Sequence, residues 1–221
     1  MKSSKFFITF LLFVTTVFAS QAQLGVRVGV NMASEITSFN QESLKNSFKT
    51  ENLTGYQVGL VYQAHMKNGL GFETGLLLAQ KGSVYKIDNA ETPTGNFVKA
   101  YKELNCINIP LSLRYRYSFG PIGVFALAGL YGDYALNGKT VVEAVNNQLE
   151  SKESFKDFSS RLDYGYTLGG GVEFIKKIQL GVNWSTALQK KDPSDGFQQV
   201  IKDFQPQTQS RVFSVNLTYI F

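Results

Sequence analysis

Three arginines and two glutamates, Arg27, Glu73, Arg114, Arg116 and Glu173, sit in alternating segments on the face that also carries glycine or serine. Side chains of that type, brought together away from water, do one of two things. They pair and hydrogen-bond, or they line a hydrated path and select ions. The other residues with reactive potential are sparse. There is a single histidine, His65, just before an Asn68-Gly69 turn, and a single cysteine, Cys106, far along another segment. A nucleophilic thiol needs a base beside it, and His65 is expected at the wrong end of the fold for Cys106 and for lipid chemistry at an outer membrane edge. No catalytic residue is therefore expected. Gly169-Gly170-Gly171 is followed by neither a helix nor a Lys-Ser/Thr pair, so it is not a phosphate loop. One cysteine excludes an intramolecular disulfide and a multi-cysteine metal site, and no cofactor or metal is expected.

The elements that must position these residues are strands. Aromatics make up 14% of the chain, with 11 Tyr and 18 Phe, beside 20 Gly and only 5 Pro, a balance that favours strands over helices. Period-two alternation runs through eight segments: Leu24 to Ala33, Thr54 to His65, Leu70 to Val84, Leu104 to Ser118, Ile122 to Tyr134, Arg161 to Phe174, Ile178 to Leu188 and Ser210 to Phe221. In the first, Leu24, Val26, Val28, Val30 and Met32 oppose Gly25, Arg27, Gly29, Asn31 and Ala33. In the last, Phe213, Val215, Leu217, Tyr219 and Phe221 oppose Ser214, Asn216 and Thr218. The fifth segment is ambiguous, because Phe125 and Leu127 face inward if Gly123 and Gly129 do. Pro110 lacks the N–H a ladder wants, which predicts a bulge there.

The connections alternate too. Short turns at Met66 to Gly69, Phe119 to Pro121 and Ile175 to Lys177 contrast with long polar connections near 35–53, 85–103, 135–160 and 189–209. Short turns on one side and long loops on the other, with an even strand number, are the signature of a membrane barrel. The expected fold is all-β, an eight-stranded antiparallel up-and-down transmembrane β-barrel over residues 23–221. Residues 1–22 read as a cleaved signal peptide: Lys2 and Lys5, an apolar run from Phe6 to Ala19 too short to span a bilayer, and small residues at Ser20 and Ala22.

A secreted lipocalin-type barrel is the soluble rival, but its interior is apolar and its exterior polar. Here Arg27, Gln57, Gln63, Glu73, Arg114, Arg116, Asp163, Glu173 and Asn216 share the glycine face. The five charges first named lie near the same periplasmic rim on four strands, so they should meet. Eight strands leave a lumen that side chains fill, which predicts an ion-paired plug; a gate that opens by exchanging partners is the alternative. Outward Phe72, Tyr115, Tyr117, Phe174, Tyr219 and Phe221 at the periplasmic ends, and Tyr56, Tyr164 and Phe213 at the outer ends, fit two interfacial girdles. The formal net charge is +5, or +3 without Lys2 and Lys5, with both signs scattered, which excludes a nucleic-acid stripe. The 135–160 connection mixes Glu143, Glu150, Glu153 and Asp157 with Lys139, Lys152 and Lys156 and reads as a solvated loop.

The segments Leu104-Asn-Cys-Ile-Asn-Ile-Pro-Leu-Ser-Leu-Arg-Tyr, Val124-Phe-Ala-Leu-Ala-Gly, Tyr166-Thr-Leu-Gly-Gly-Gly-Val-Glu-Phe and the terminal Tyr219-Ile-Phe resemble the PorT-like outer-membrane β-barrel family of Bacteroidetes. The resemblance implies an integral protein of the outer membrane, with some relatives serving protein secretion; it carries over no catalytic residues. Leu217, Tyr219 and Phe221 resemble the C-terminal signal by which such barrels reach the barrel-assembly machinery. The expected partners are outer-membrane lipid, that machinery, and secretion or envelope proteins, with no nucleic acid. The expected function is a non-enzymatic structural or accessory barrel; a narrow channel or solute binder is the alternative.

Overall fold

The computed structural model describes residues 22–38, 48–66, 68–87, 98–144, 147–152, 161–189 and 207–221; the signal-peptide expectation for residues 1–22 lies almost wholly outside them. Nine strands run in chain order: β1 (Ala22–Ser38), β2 (Phe48–His65), β3 (Leu70–Ile87), β4 (Val98–Phe119), β5 (Ile122–Ala144), β6 (Asn147–Lys152), β7 (Leu162–Phe174), β8 (Ile178–Ala187) and β9 (Gln207–Ile220). All pairings are antiparallel. Eight of the strands close a ring in the order β4, β3, β2, β1, β9, β8, β7, β5, with β5 returning to β4. The remaining strand, β6, lies outside the ring and among the described residues pairs with the outer end of β5 alone, from Lys139↔Lys152 to Ala144↔Asn147.

Alternation is what makes these segments strands, and exposure follows it. On β4, Leu113 is 71% exposed while its neighbour Arg114 is 1%. The apolar face looks outward where a soluble protein would put polar residues, so it is stable only against lipid. The ambiguous strand, β5, has Phe125 and Leu127 inward together with Gly123 and buried Tyr131. The short turns are tight: Gly69 and Gly120 take positive φ of 87° and 63°, and Gly69 N–H donates to the Met66 carbonyl at 3.1 Å. At the β7–β8 turn Ile175 and Lys176 adopt φ of 53° and 59° without being glycine.

Two expectations are corrected. Pro110 carries no bulge: it pairs with Tyr131 on β5 in unbroken register, and the β3–β4 register is the same on either side of it. Ladder pairs are missing only at Gly75 and Leu76, and the Thr74 hydroxyl donates to the Pro110 carbonyl at 2.8 Å. The register shifts occur instead between Asn105 and Cys106 on β4 and between Asn52 and Gln57 on β2. Nor is 135–160 simply a loop, since β5 continues to Ala144 and β6 folds back on it. Beyond the membrane both faces of a strand meet water, so the polarity contrast that reveals a strand disappears while the ladder continues. The result is a lopsided wall, with 22 and 23 residues in β4 and β5 against 10 in β8.

Candidate functional site: the polar lumen

The five charged residues do meet. Four strands aim them into the periplasmic third of the lumen, where Glu73 takes Arg27 Nη1 on Oε1 at 2.8 Å and Arg114 Nη1 on Oε2 at 2.9 Å. Glu173 takes Arg116 Nη1 on Oε1 at 3.2 Å and lies 3.9 Å from Arg114 Nη2. Two glutamines join the carboxylates across the lumen. Gln63 Nε2 donates to Glu73 Oε2 at 2.8 Å and to Gln179 Oε1 at 2.9 Å; Gln179 Nε2 donates to Gln63 Oε1 at 3.0 Å and to Glu173 Oε2 at 2.8 Å. Arg27 Nε donates to the Thr218 hydroxyl at 2.9 Å, which anchors the layer on β9. All but Arg116 are buried; its side chain, 21% exposed, forms the rim.

Arg114 also lies over Phe125, its guanidinium carbon 3.6 Å from the ring centroid. Its Nε and Nη2 make no hydrogen bond among the described residues, and the ring face offsets part of that cost. Phe125 fits because β7 and β8 carry glycine beneath it: a Cβ on Gly171 would lie 2.7 Å from Phe125 Cζ and 2.1 Å from the Leu180 carbonyl oxygen. Opposite charges in a narrow lumen are held by each other, and pulling one partner away leaves the rest with a large uncompensated desolvation cost.

Toward the outer mouth a second cluster lies on strands β3, β4 and β5. Lys81 Nζ contacts Asp133 Oδ2 at 2.5 Å and stands 4.8 Å from the centroid of the Tyr131 ring; Asn108 donates to Asp133 Oδ1 at 2.7 Å. Buried Cys106 donates to the Ala79 carbonyl at 3.4 Å and lies 3.8 Å from Asp133 Oδ1. Its polar contacts are thus a carbonyl and a carboxylate, while His65 is at the opposite end, paired in register with Gly71 next to the turn. Between the two charged layers is a cavity of about 30 Å³, walled by Asn31, Gln57, Leu127, Thr167, Asn183 and Ser214 among others. It has room for about two waters.

Gly169–Gly171 is mid-strand, laddered to β5 and to β8. Tyr115, Tyr117, Phe174, Tyr219 and Phe221 project outward at the periplasmic end, Tyr56, Tyr164 and Phe213 at the other. Phe72 is half-buried, its ring 5.9 Å from that of Tyr62. Of the terminal triplet, Leu217, Tyr219 and Phe221 all face outward; Phe221 N–H donates to the Leu24 carbonyl at 2.9 Å and the Tyr219 and Phe221 rings meet edge to face. The alternation assigned Gln63, Gln179 and Thr218 to the inner face, but not their bridging role, and it did not single out Lys81 and Asp133. Extending the same alternation two residues past Ala79 and Tyr131 puts that pair inside.

Residues 18–191 match the model of the family described as outer membrane protein beta-barrel domain. No curated protein matches the chain. Among solved structures it is similar to the attachment invasion locus protein Ail of Yersinia pestis, with 10% identity over 91% of this chain and 99% of that one and a TM-score of 0.42. It is similar to OprG of Pseudomonas aeruginosa, with 11% identity over 90% of this chain and 96% of that one and a TM-score of 0.47. It is also similar to the outer membrane protease OmpT of Escherichia coli, with 10% identity over 90% and 97% and a TM-score of 0.41.

Proposed function

We propose, for a chain that belongs to the outer membrane protein beta-barrel domain family, a non-enzymatic structural or accessory role in the outer membrane, performed by a closed barrel whose lumen is plugged. The observation that carries this reading is the periplasmic layer itself: Arg27, Glu73, Arg114, Glu173 and Arg116 are bound to one another and bridged by Gln63 and Gln179. A path for ions past that layer would have to break several charge-assisted contacts at once, all but the Arg116 pair fully buried.

The part of the molecule left to meet other envelope components is then its outer wall, the extension of β4, β5 and β6 beyond the membrane. The PorT-like resemblance supports service to protein secretion as the form this role takes, with entry into the membrane through the assembly machinery by way of Leu217, Tyr219 and Phe221. The rival reading is a narrow channel.

Conductance of the refolded protein in a planar bilayer separates the two. We expect a silent bilayer from samples whose circular dichroism shows full β structure. Reproducible current steps, with a selectivity that changes in Glu73→Gln, would overturn the plugged reading in favour of the channel.

A further inference from the structure

The β4–β5 and β7–β8 turns are neighbours on the periplasmic rim, tied by a hydrogen bond from Ile175 N–H to the Pro121 carbonyl at 2.7 Å. Their tips mix exposed apolar residues with basic ones. Ile175 is 71% exposed and Phe119 62%, with Ile122, Phe174 and Ile178 exposed beside them. The apolar surface of the lipid-facing wall therefore reaches around the strand ends onto the turns, where Lys176 and Lys177 adjoin it. Holding Ile175 there is costly, because a β-branched residue at φ 53°, followed by Lys176 at φ 59°, is in a region such side chains avoid. The strained turn points an apolar side chain outward and sets two exposed cations, Lys176 and Lys177, next to it; Lys177 Nζ stands 6.0 Å from the ring centroid of girdle residue Tyr219.

We infer that these paired turns form a binding site for an anionic phospholipid of the inner leaflet, with Ile175, Phe119 and Ile122 among the acyl-chain ends of the headgroup region and Lys176 and Lys177 on the phosphate. Two features select this occupant. The patch is continuous with the lipid-covered wall, so the same bilayer reaches it. Its charge is cationic, so it takes a headgroup with net negative charge in preference to a zwitterionic one. Aromatic and apolar residues anchor barrels at the interface generally; the strained, dibasic tip makes this sector selective.

The test is native mass spectrometry of the full chain released from detergent with equimolar phosphatidylglycerol and phosphatidylcholine. Wild type should retain phosphatidylglycerol in preference. In K176A/K177A that preference should fall roughly 25-fold, since each lysine near an anionic lipid surface contributes roughly fivefold. A second variant, Ile175→Gly, keeps the claim independent of folding. Glycine accepts the backbone angle, so I175G should melt no lower than wild type, yet retain less lipid of either kind. Equal retention of the two lipids by wild type, or an undiminished preference in K176A/K177A with unchanged heat-modifiable migration, would overturn the inference. So would preserved retention in I175G, or a wild-type patch that takes up no lipid and instead captures a periplasmic protein.

Discussion

Glu73 holds two arginines, one on each carboxylate oxygen, and both arginines are buried. Replacing it with glutamine leaves Arg27 and Arg114 competing for one neutral oxygen in a buried site. We expect Glu73→Gln to cost about 3–5 kcal/mol, read as a lower melting temperature and loss of heat-modifiable gel migration. The internal control is Glu103→Gln, which breaks a pair with Lys139 at 3.5 Å in which both side chains are substantially exposed; that change should cost no more than about 1 kcal/mol. Equal effects from the two would refute the plug. Cys106, 1% exposed, should resist maleimide in the folded barrel and react fully in denaturant, because a buried thiol is not available as thiolate. At this scale the sequence disclosed which residues face inward, since the glycine face is unmistakable around Arg27 and Glu173. It disclosed that the five charges share a layer, but not that two glutamines bridge it. The Gln63–Gln179 bridge spans 116 positions in the chain, and only the closed ring brings those two amides together.

Among the strands, packing at the glycines is uneven in a way that can be measured. Gly171 sits under Phe125 and against the Leu180 carbonyl, whereas a Cβ on Gly132 would meet nothing within 4 Å. Gly171→Ala should therefore cost about 1–3 kcal/mol by overpacking, or block refolding, while Gly132→Ala should be close to neutral; urea titration of the two refolded variants is the comparison. The number of barrel strands and their topology were readable because the lipid-facing residues alternate over the bilayer's depth, as in Leu111, Leu113 and Tyr115, with only β5 ambiguous in phase. The outer halves of β4 and β5 were not readable. From Asn105 and Asn137 outward the exposed face carries Glu103 and Lys139, and a period-two pattern has no contrast when both faces are polar. Pro110 misled for a different reason: a missing N–H removes one donor without any change of register, and the Pro110 carbonyl accepts from the Thr74 hydroxyl.

In the molecule as a whole, the barrel is one sheet whose last strand pairs with its first. Thr218 and Arg27, which hydrogen-bond across that seam, are 191 residues apart in the chain, and the ladder joining β1 to β9 runs from Gly25↔Ile220 to Ser38↔Gln207. Contacts of such long range form late, because the loop they close must be gathered first. Every earlier stage of folding is then an open sheet with two raw edges and an oily outer face, the combination that drives chains to aggregate. Time, more than stability, is the hazard of this architecture: between export and closure the chain must be kept apart from its own kind, and its final strand sets the moment at which that vulnerability ends.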